Sequence, residues 1–184
     1  MNDTLKEILK TSIYFLVLLL IALFIVTFIG QRTIVDGDSM QNTLFDKDNL
    51  IVDKISYRFK DPQRFDVIVF PYDKGSRNYF IKRIIGLPGE TVYIDEDGDI
   101  FINDVYLKEN YGKEVIKEGG LASKPIVLGE DEYFVLGDNR NDSFDSRFYE
   151  VGNIKRKEIN EQLKAQIKDI CPILIRGSLK KDKR

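Results

Sequence analysis

The sequence predicts a mainly β domain carried behind one N-terminal membrane helix. Three observations lead there. Residues 13–29, IYFLVLLLIALFIVTFI, form an uncharged apolar run of 17 residues. Short runs of β-branched and aromatic residues, parted by turn formers, follow one another from residue 49 to residue 136. The abundant local charge falls almost wholly outside the first stretch, and the formal net charge is only −2, so no basic excess points to nucleic acid.

The apolar run comes first. At about 1.5 Å per residue it spans roughly 25 Å, close to the lower limit for crossing a bilayer. It is apolar on all sides, whereas a buried core helix ordinarily shows an amphipathic stripe. The residues after it, GQRTIVDGDSM, contain no small-x-small cleavage site, and the run is longer than a usual signal-peptide core. It therefore reads as a retained anchor. Lys6 and Lys10 before it and Arg32 after it favour a cytoplasmic N-terminus only weakly.

Strands follow. Residues 49–53 (NLIVD) and 66–70 (DVIVF, ended by Pro71) read as the first two. Residues 79–85 (YFIKRII) are a third, stopped by Gly86-Leu87-Pro88-Gly89. Residues 91–94 and 100–102 flank a turn containing Asp97-Gly98, a hairpin signal. Asn103-Asp104 marks a further turn before residues 105–107. Residues 108–124 are polar and read as a loop, and 132–136 (EYFVL) is a clear strand ended by Gly137-Asp138-Asn139. Many short strands with turns between them imply a mainly β domain. The basic end at residues 180–184 reads as a solvated terminus.

Two absences narrow the chemistry. The chain has no histidine, which excludes Ser–His–Asp and Cys–His catalysis and removes the commonest zinc ligand. It has one cysteine, Cys171, so no internal disulfide can form; that residue reads as a small apolar side chain. Hydrolytic chemistry would rest on Ser, Thr, Lys, Asp, Glu or Tyr, with no metal and no cofactor.

Three clusters remain as candidates. Ser39 lies in Asp36-Gly37-Asp38-Ser39-Met40, where Gly37 allows unusual backbone angles. Alone it would pass for a turn former. Lys82 and Arg83 sit inside an apolar strand. Alternation puts Phe80, Lys82 and Ile84 on one face and Ile81, Arg83 and Ile85 on the other, so one of the two cations is expected to point inward. An edge lysine guarding against aggregation is the bland reading. A desolvated lysine, neutral near pH 7–8 and able to take a hydroxyl proton, is the sharp one. Moving its pKa from about 10.4 to near 8 requires roughly 3 kcal/mol of preference for the neutral form. The third cluster is Gly137-Asp138-Asn139-Arg140-Asn141-Asp142-Ser143-Phe144-Asp145-Ser146-Arg147. Arg140 stands where a calcium ligand would be wanted, leaving a salt-bridged turn or a shell that orients the lysine.

Taken together, the clusters resemble the bacterial type I signal peptidases (leader peptidases). The matching order is anchor, Ser39-Met40-x-x-Thr43-Leu44, Arg64-x-Asp66-Val67-Ile68-Val69-Phe70, Lys82-Arg83-Ile84-Ile85-Gly86-Leu87-Pro88-Gly89, and Gly137-Asp138-Asn139-Arg140-x-x-Ser143-x-Asp145-Ser146-Arg147. The similarity covers roughly residues 10–159. It implies a signal-peptidase-like β catalytic domain and a membrane-anchored serine endopeptidase with Ser39 as nucleophile and Lys82 as general base. Ser143 matches the serine whose hydroxyl hydrogen-bonds the lysine, Asp145 and Arg147 match a supporting ion pair, and Asp138 falls in the same motif as a structural residue. The backbone N–H of Ser39 is the expected oxyanion donor. Some relatives add a serine hydroxyl two residues earlier, in the Gly37 region, and Gly37 cannot supply one. The implied partners are secretory preproteins, cut after small-x-small sites, together with membrane lipid and the protein-export machinery.

The implied layout is a cytoplasmic segment 1–12, a single-pass anchor 13–30 in the bacterial cell membrane, an extracytoplasmic peptidase domain 31–159 and a divergent tail 160–184. Two departures stand out. Asn42 replaces the family's usual proline, which is expected to loosen the loop. After Ile159 the family's final apolar strand is not recognisable; Leu163, Ile167 and Ile170 have helical spacing, and residues 171–175 form an apolar run containing Pro172. Two other functions compete. One is a self-cleaving or regulatory Ser–Lys protease, disfavoured by the anchor. The other is a catalytically inactive membrane-tethered β module. A sortase-like enzyme is excluded by the missing histidine.

Overall fold

Burial on both faces of one sheet decides the architecture. The computed structural model describes residues 3–28, 30–53, 55–72, 78–159 and 161–166. Helix α1 (Asp3–Phe28) leads into β1 (Gly30–Ile34), β2 (Asn49–Asp53), β3 (Val67–Pro71), β4 (Tyr79–Gly86), β5 (Thr91–Ile94), β6 (Ile100–Ile102), β7 (Val105–Tyr106), β8 (Ile126–Val127), β9 (Glu132–Leu136), β10 (Ile154–Lys155) and β11 (Glu161–Gln166). Short 3-10 turns occupy Ser56–Arg58, Gly120–Ser123 and Arg156–Glu158. The domain is mainly β, as expected.

Two sheets form. The larger runs β1-β2-β11-β3-β4-β9-β10 and the smaller β7-β6-β5-β8. The hairpin expected around Asp97-Gly98 pairs Ile94 with Ile100, and Asn103 and Asp104, both at positive φ, turn β6 into β7. Alternation sorts the core. Ile85, Phe134 and Leu136 pack with Val92, Ile94, Ile100 and Ile102 between the sheets. Their strand neighbours Ile84, Tyr133 and Val135 pack on the opposite face with Ile68, Phe70, Ile154 and Ile159. Each fully buried aliphatic side chain contributes about 1.5–3 kcal/mol. A third group, Val35, Met40, Leu44, Leu50 and Val67, lies beneath the loop that carries Ser39.

Three expectations change. Both Lys82 and Arg83 are buried, at 2% and 5% exposure. The expectation of a single inward cation assumed one solvated face, and β4, central in a sheet covered on both sides, has none. Residues 161–166 close the sheet rather than leave it open. Strand β11 fits between β2 and β3, with Gln162 opposite both Asp53 and Ile68 and a bulge between Leu163 and Ala165. The helical spacing that begins at Leu163 yields there to backbone pairing with two otherwise open edges. Ile167, Ile170, Cys171, the 171–175 run and the basic end lie outside the described residues. Helix α1 starts ten residues before the apolar run, and Gly30, assigned to the anchor, begins β1.

Along residues 3–24 the helix is exposed on every side, and it is long and apolar enough to cross a membrane.

Candidate active site

Ser39 sits on a tight loop closed by three backbone hydrogen bonds: Gln41 N–H to Asp38 O (2.9 Å), and Thr43 and Leu44 N–H to Met40 O (3.0 and 2.8 Å). Buried Met40 and Leu44 pin the loop to the core. Gly37, at φ 101°, makes the entry bend, and its N–H donates to Asp46 Oδ1 at 2.9 Å. From the other side Asn139 donates its backbone N–H to Ser39 O and its side-chain amide to Asp38 O, each at 3.1 Å.

Lys82 comes from the middle of β4. Its Nζ lies 2.7 Å from Ser39 Oγ, 3.1 Å from Ile81 O and 4.8 Å from the centroid of the Phe80 ring. Burial pushes the amine down from an ordinary 10.5 to about 8, against the opposing pull of Asp145 and Asp138. A neutral amine at hydrogen-bond distance from a hydroxyl can take its proton. The Ser39 N–H has no acceptor among the described residues and can serve a developing oxyanion. The Gly37 N–H cannot, because Asp46 already occupies it.

Around this pair stand two buried ion pairs. Arg147 grips Asp145 through Nε to Oδ1 (2.8 Å) and Nη2 to Oδ2 (3.0 Å). Asp145 Oδ2 also accepts the Gly137 N–H at 3.1 Å. Arg83 grips Asp138 through Nε to Oδ1 (2.8 Å) and Nη2 to Oδ2 (2.6 Å). Asp138 is thus the far half of an ion pair whose near half is the residue next to Lys82. Sequence reasoning placed Arg83 on the strand but gave it no role; the signal was two adjacent cations in a strand apolar on both faces.

Ser143 corrects a further expectation. Its Oγ is buried and has no hydrogen-bond partner among the described residues, so it does not bond Lys82. It packs instead against Gly137. A Cβ at Gly137 would stand 2.2 Å from Ser143 Oγ and 2.4 Å from Ser39 O. Only a hydrogen at that position lets the 137–147 turn close on the Ser39 loop.

A cleft of about 560 Å³ opens onto Ser39 and Lys82. Residues 33–40 line one wall and residues 78–82 the other, and Phe144 also lines the cleft. Both walls are strands or continuations of strands, so an extended peptide fits between them.

Hydroxyl, buried amine, oxyanion donor and peptide-sized cleft together define a site able to perform acyl transfer without histidine. Residues 6–167 match the profile of the family described as signal peptidase, peptidase S26. Over 163 residues the chain is 38% identical to a probable signal peptidase I-2 of Synechocystis, covering 86% of this chain and 71% of that one. It is 40% identical over 146 residues to a signal peptidase I of Leptolyngbya laminosa (76% and 69% covered), and 34% over 150 residues to the signal peptidase I S of Bacillus subtilis (77% and 79%). A crystal structure of a signal peptidase I from Enterococcus faecalis, 36% identical, aligns with 57% of this chain and 98% of that one at a TM-score of 0.47. The chain belongs to the signal peptidase family and is a serine endopeptidase of the signal peptidase I type.

Proposed function

We propose that this protein removes N-terminal signal peptides from secretory preproteins, cutting after small-x-small sites, with Ser39 as nucleophile and Lys82 as general base. The observation that carries the reading is the 2.7 Å contact between a half-buried hydroxyl and a buried amine whose pKa is pushed down to about 8. Neutral Lys82 takes the Ser39 proton as Oγ attacks the scissile carbonyl carbon. The oxyanion forms against the Ser39 N–H, and protonated Lys82 returns its proton to the leaving amine. Water, deprotonated in turn by Lys82, cleaves the acyl-enzyme ester and regenerates Ser39.

Helix α1 serves as a single-pass anchor with a cytoplasmic N-terminus, leaving the β domain on the outer side of the bacterial cell membrane, in contact with lipid. From Phe28 to Ser39 is eleven residues of chain, at most roughly 36–40 Å. The site therefore stays near the bilayer surface, where a signal peptide's cleavage point emerges beside the export machinery, and tethering raises the effective concentration. The 167–184 segment belongs to the divergent tail.

The test is cleavage of a preprotein carrying an Ala-x-Ala site by the detergent-solubilised protein, beside Ser39→Ala and Lys82→Ala. Cleavage by the wild type alone is the expected result. Equal cleavage by all three sinks the assignment of both residues, and absence of cleavage by any sinks the function.

A further inference from the structure

Asn42 carries a φ of 108°. This lies beyond the left-handed well that asparagine tolerates, in a region where a side chain is strained. Asn42 is the third residue of the turn that Thr43 N–H closes onto Met40 O. A proline ring fixes φ near −65°, so the proline of the family pattern cannot stand in this turn. Asn42 is also exposed and packs no core. Folding alone gives no reason for a strained side chain there.

The side chain does have a partner. Asn42 Nδ2 donates to Tyr111 O at 3.0 Å, across 69 residues of sequence. Tyr111 is itself fixed. Its ring lies 3.8 Å from the Arg83 guanidinium and 5.1 Å from the Phe65 ring. Phe65 is left-handed, at φ 70°, and its carbonyl accepts Arg83 Nη1 at 2.9 Å. Two residues beyond Tyr111, Lys113 donates its backbone N–H to Asp138 O at 2.8 Å and its ammonium to Gln41 Oε1. Segment 109–113 thus ties the loop of Ser39 to the buried Arg83–Asp138 pair beside Lys82.

We propose that Asn42 and Tyr111 form a brace that positions Ser39 against Lys82, with Asn42 as a positioning residue. The inference rests on the Ser39–Lys82 reading above. An off-well backbone at Asn42, held by a long-range bond to a fixed partner, is what a pre-organised site shows. The brace holds the loop where the family pattern would use a stiff ring.

The experiment compares wild type, Asn42→Gly and Asn42→Asp on the Ala-x-Ala preprotein, with Tm measured on each. Glycine accepts φ 108° without strain but lacks the amide donor. Aspartate keeps size and shape but turns an acceptor toward Tyr111 O. Asn42→Gly is expected to lose about tenfold in kcat, with KM within about twofold, the pH midpoint unchanged and Tm within about 3 °C of wild type. Asn42→Asp is expected to lose more. Full kcat in either variant overturns the brace, as does a kcat loss that disappears once rates are normalised to the folded fraction. Wild-type cleavage with fully active Asn42→Gly defeats the brace alone. Failure of the wild type to cleave removes the function and the brace with it.

Discussion

Replacing Phe80 by alanine tests the proposal that desolvation makes Lys82 the base. The Phe80 ring lies 4.8 Å from Nζ and lines the cleft, so it is one of the groups keeping water from the amine. Burial is the leading cause of the fall from 10.5 to about 8, a preference for the neutral form of roughly 3 kcal/mol. At pH 7 about a tenth of such an amine is neutral, against about one part in 3,000 at the ordinary value. If the hydration restored by the opened wall exceeds the lost attraction of the ring face for the charged amine by about 1.4 kcal/mol, the pKa rises by about 1 and the neutral fraction at pH 7 falls about tenfold. The assay is kcat/KM for an Ala-x-Ala substrate from pH 6 to pH 10.5. Wild type should rise about tenfold per pH unit and level off above about pH 8. Phe80→Ala should show the same slope, displaced upward by about 1 in pH, so that the gap between them narrows at high pH. Any loss of substrate packing lowers the whole curve without moving its midpoint. A midpoint that stays put or moves down refutes Phe80 as a source of the desolvation.

Removing Lys82 should move stability and activity in opposite directions. The folded pKa of Lys82 lies below the unfolded one, so between about pH 8 and 10.5 the unfolded chain binds more protons. This group's contribution therefore rises with pH through that window, and below about pH 8 the fold carries the whole penalty. Lys82→Met should consequently abolish cleavage yet raise stability at pH 7 by about 1–3 kcal/mol, with the gain over wild type shrinking toward pH 10.5; a pH series of thermal melts checks both signs. Gly137→Ala should cut kcat by about 100-fold or more, because the new methyl meets Ser39 O and Ser143 Oγ at distances that force both to move; steady-state kinetics beside near-wild-type circular dichroism is the check.

Much of this was legible in the sequence because local chemistry decided it. Alternating apolar residues bounded by glycine, proline or asparagine marked residues 49–53, 66–70, 79–85, 91–94, 100–102 and 132–136, and each is a strand or nearly so. Ser39, Lys82, Asp145 and Arg147 were named and lie together. What stayed hidden depended on contacts across the chain. Nothing local in residues 108–124 says that Tyr111 stacks on Arg83 or that Lys113 reaches Gln41, partners 28 and 72 residues away in sequence. Strand β11 was missed because its own pattern is weak; the open edges of β2 and β3 recruit it. The sequence around Asn42 suggests only a loosened loop, because its φ and its bond to Tyr111 arise in the folded chain.

The two buried ion pairs explain how a lysine can lose its charge with two aspartates nearby. A bare carboxylate about 6 Å from an ammonium, at an effective dielectric of about 20, favours the charged amine by about 3 kcal/mol. One such neighbour is comparable with the whole net shift of Lys82, and two would exceed it. Asp138 and Asp145 are instead each held by a guanidinium, Arg83 and Arg147, at hydrogen-bond distances of 2.6–3.0 Å. The group of four is neutral, its residual pull on Lys82 is weaker than desolvation, and burial prevails. The carboxylates are still needed, since Asp145 accepts the Gly137 N–H that seats the turn on the Ser39 loop and Asp138 anchors Arg83 beneath Tyr111. Arg83 and Arg147 therefore do more than satisfy buried acids. They allow acidic residues to organise the site without holding the Lys82 amine charged.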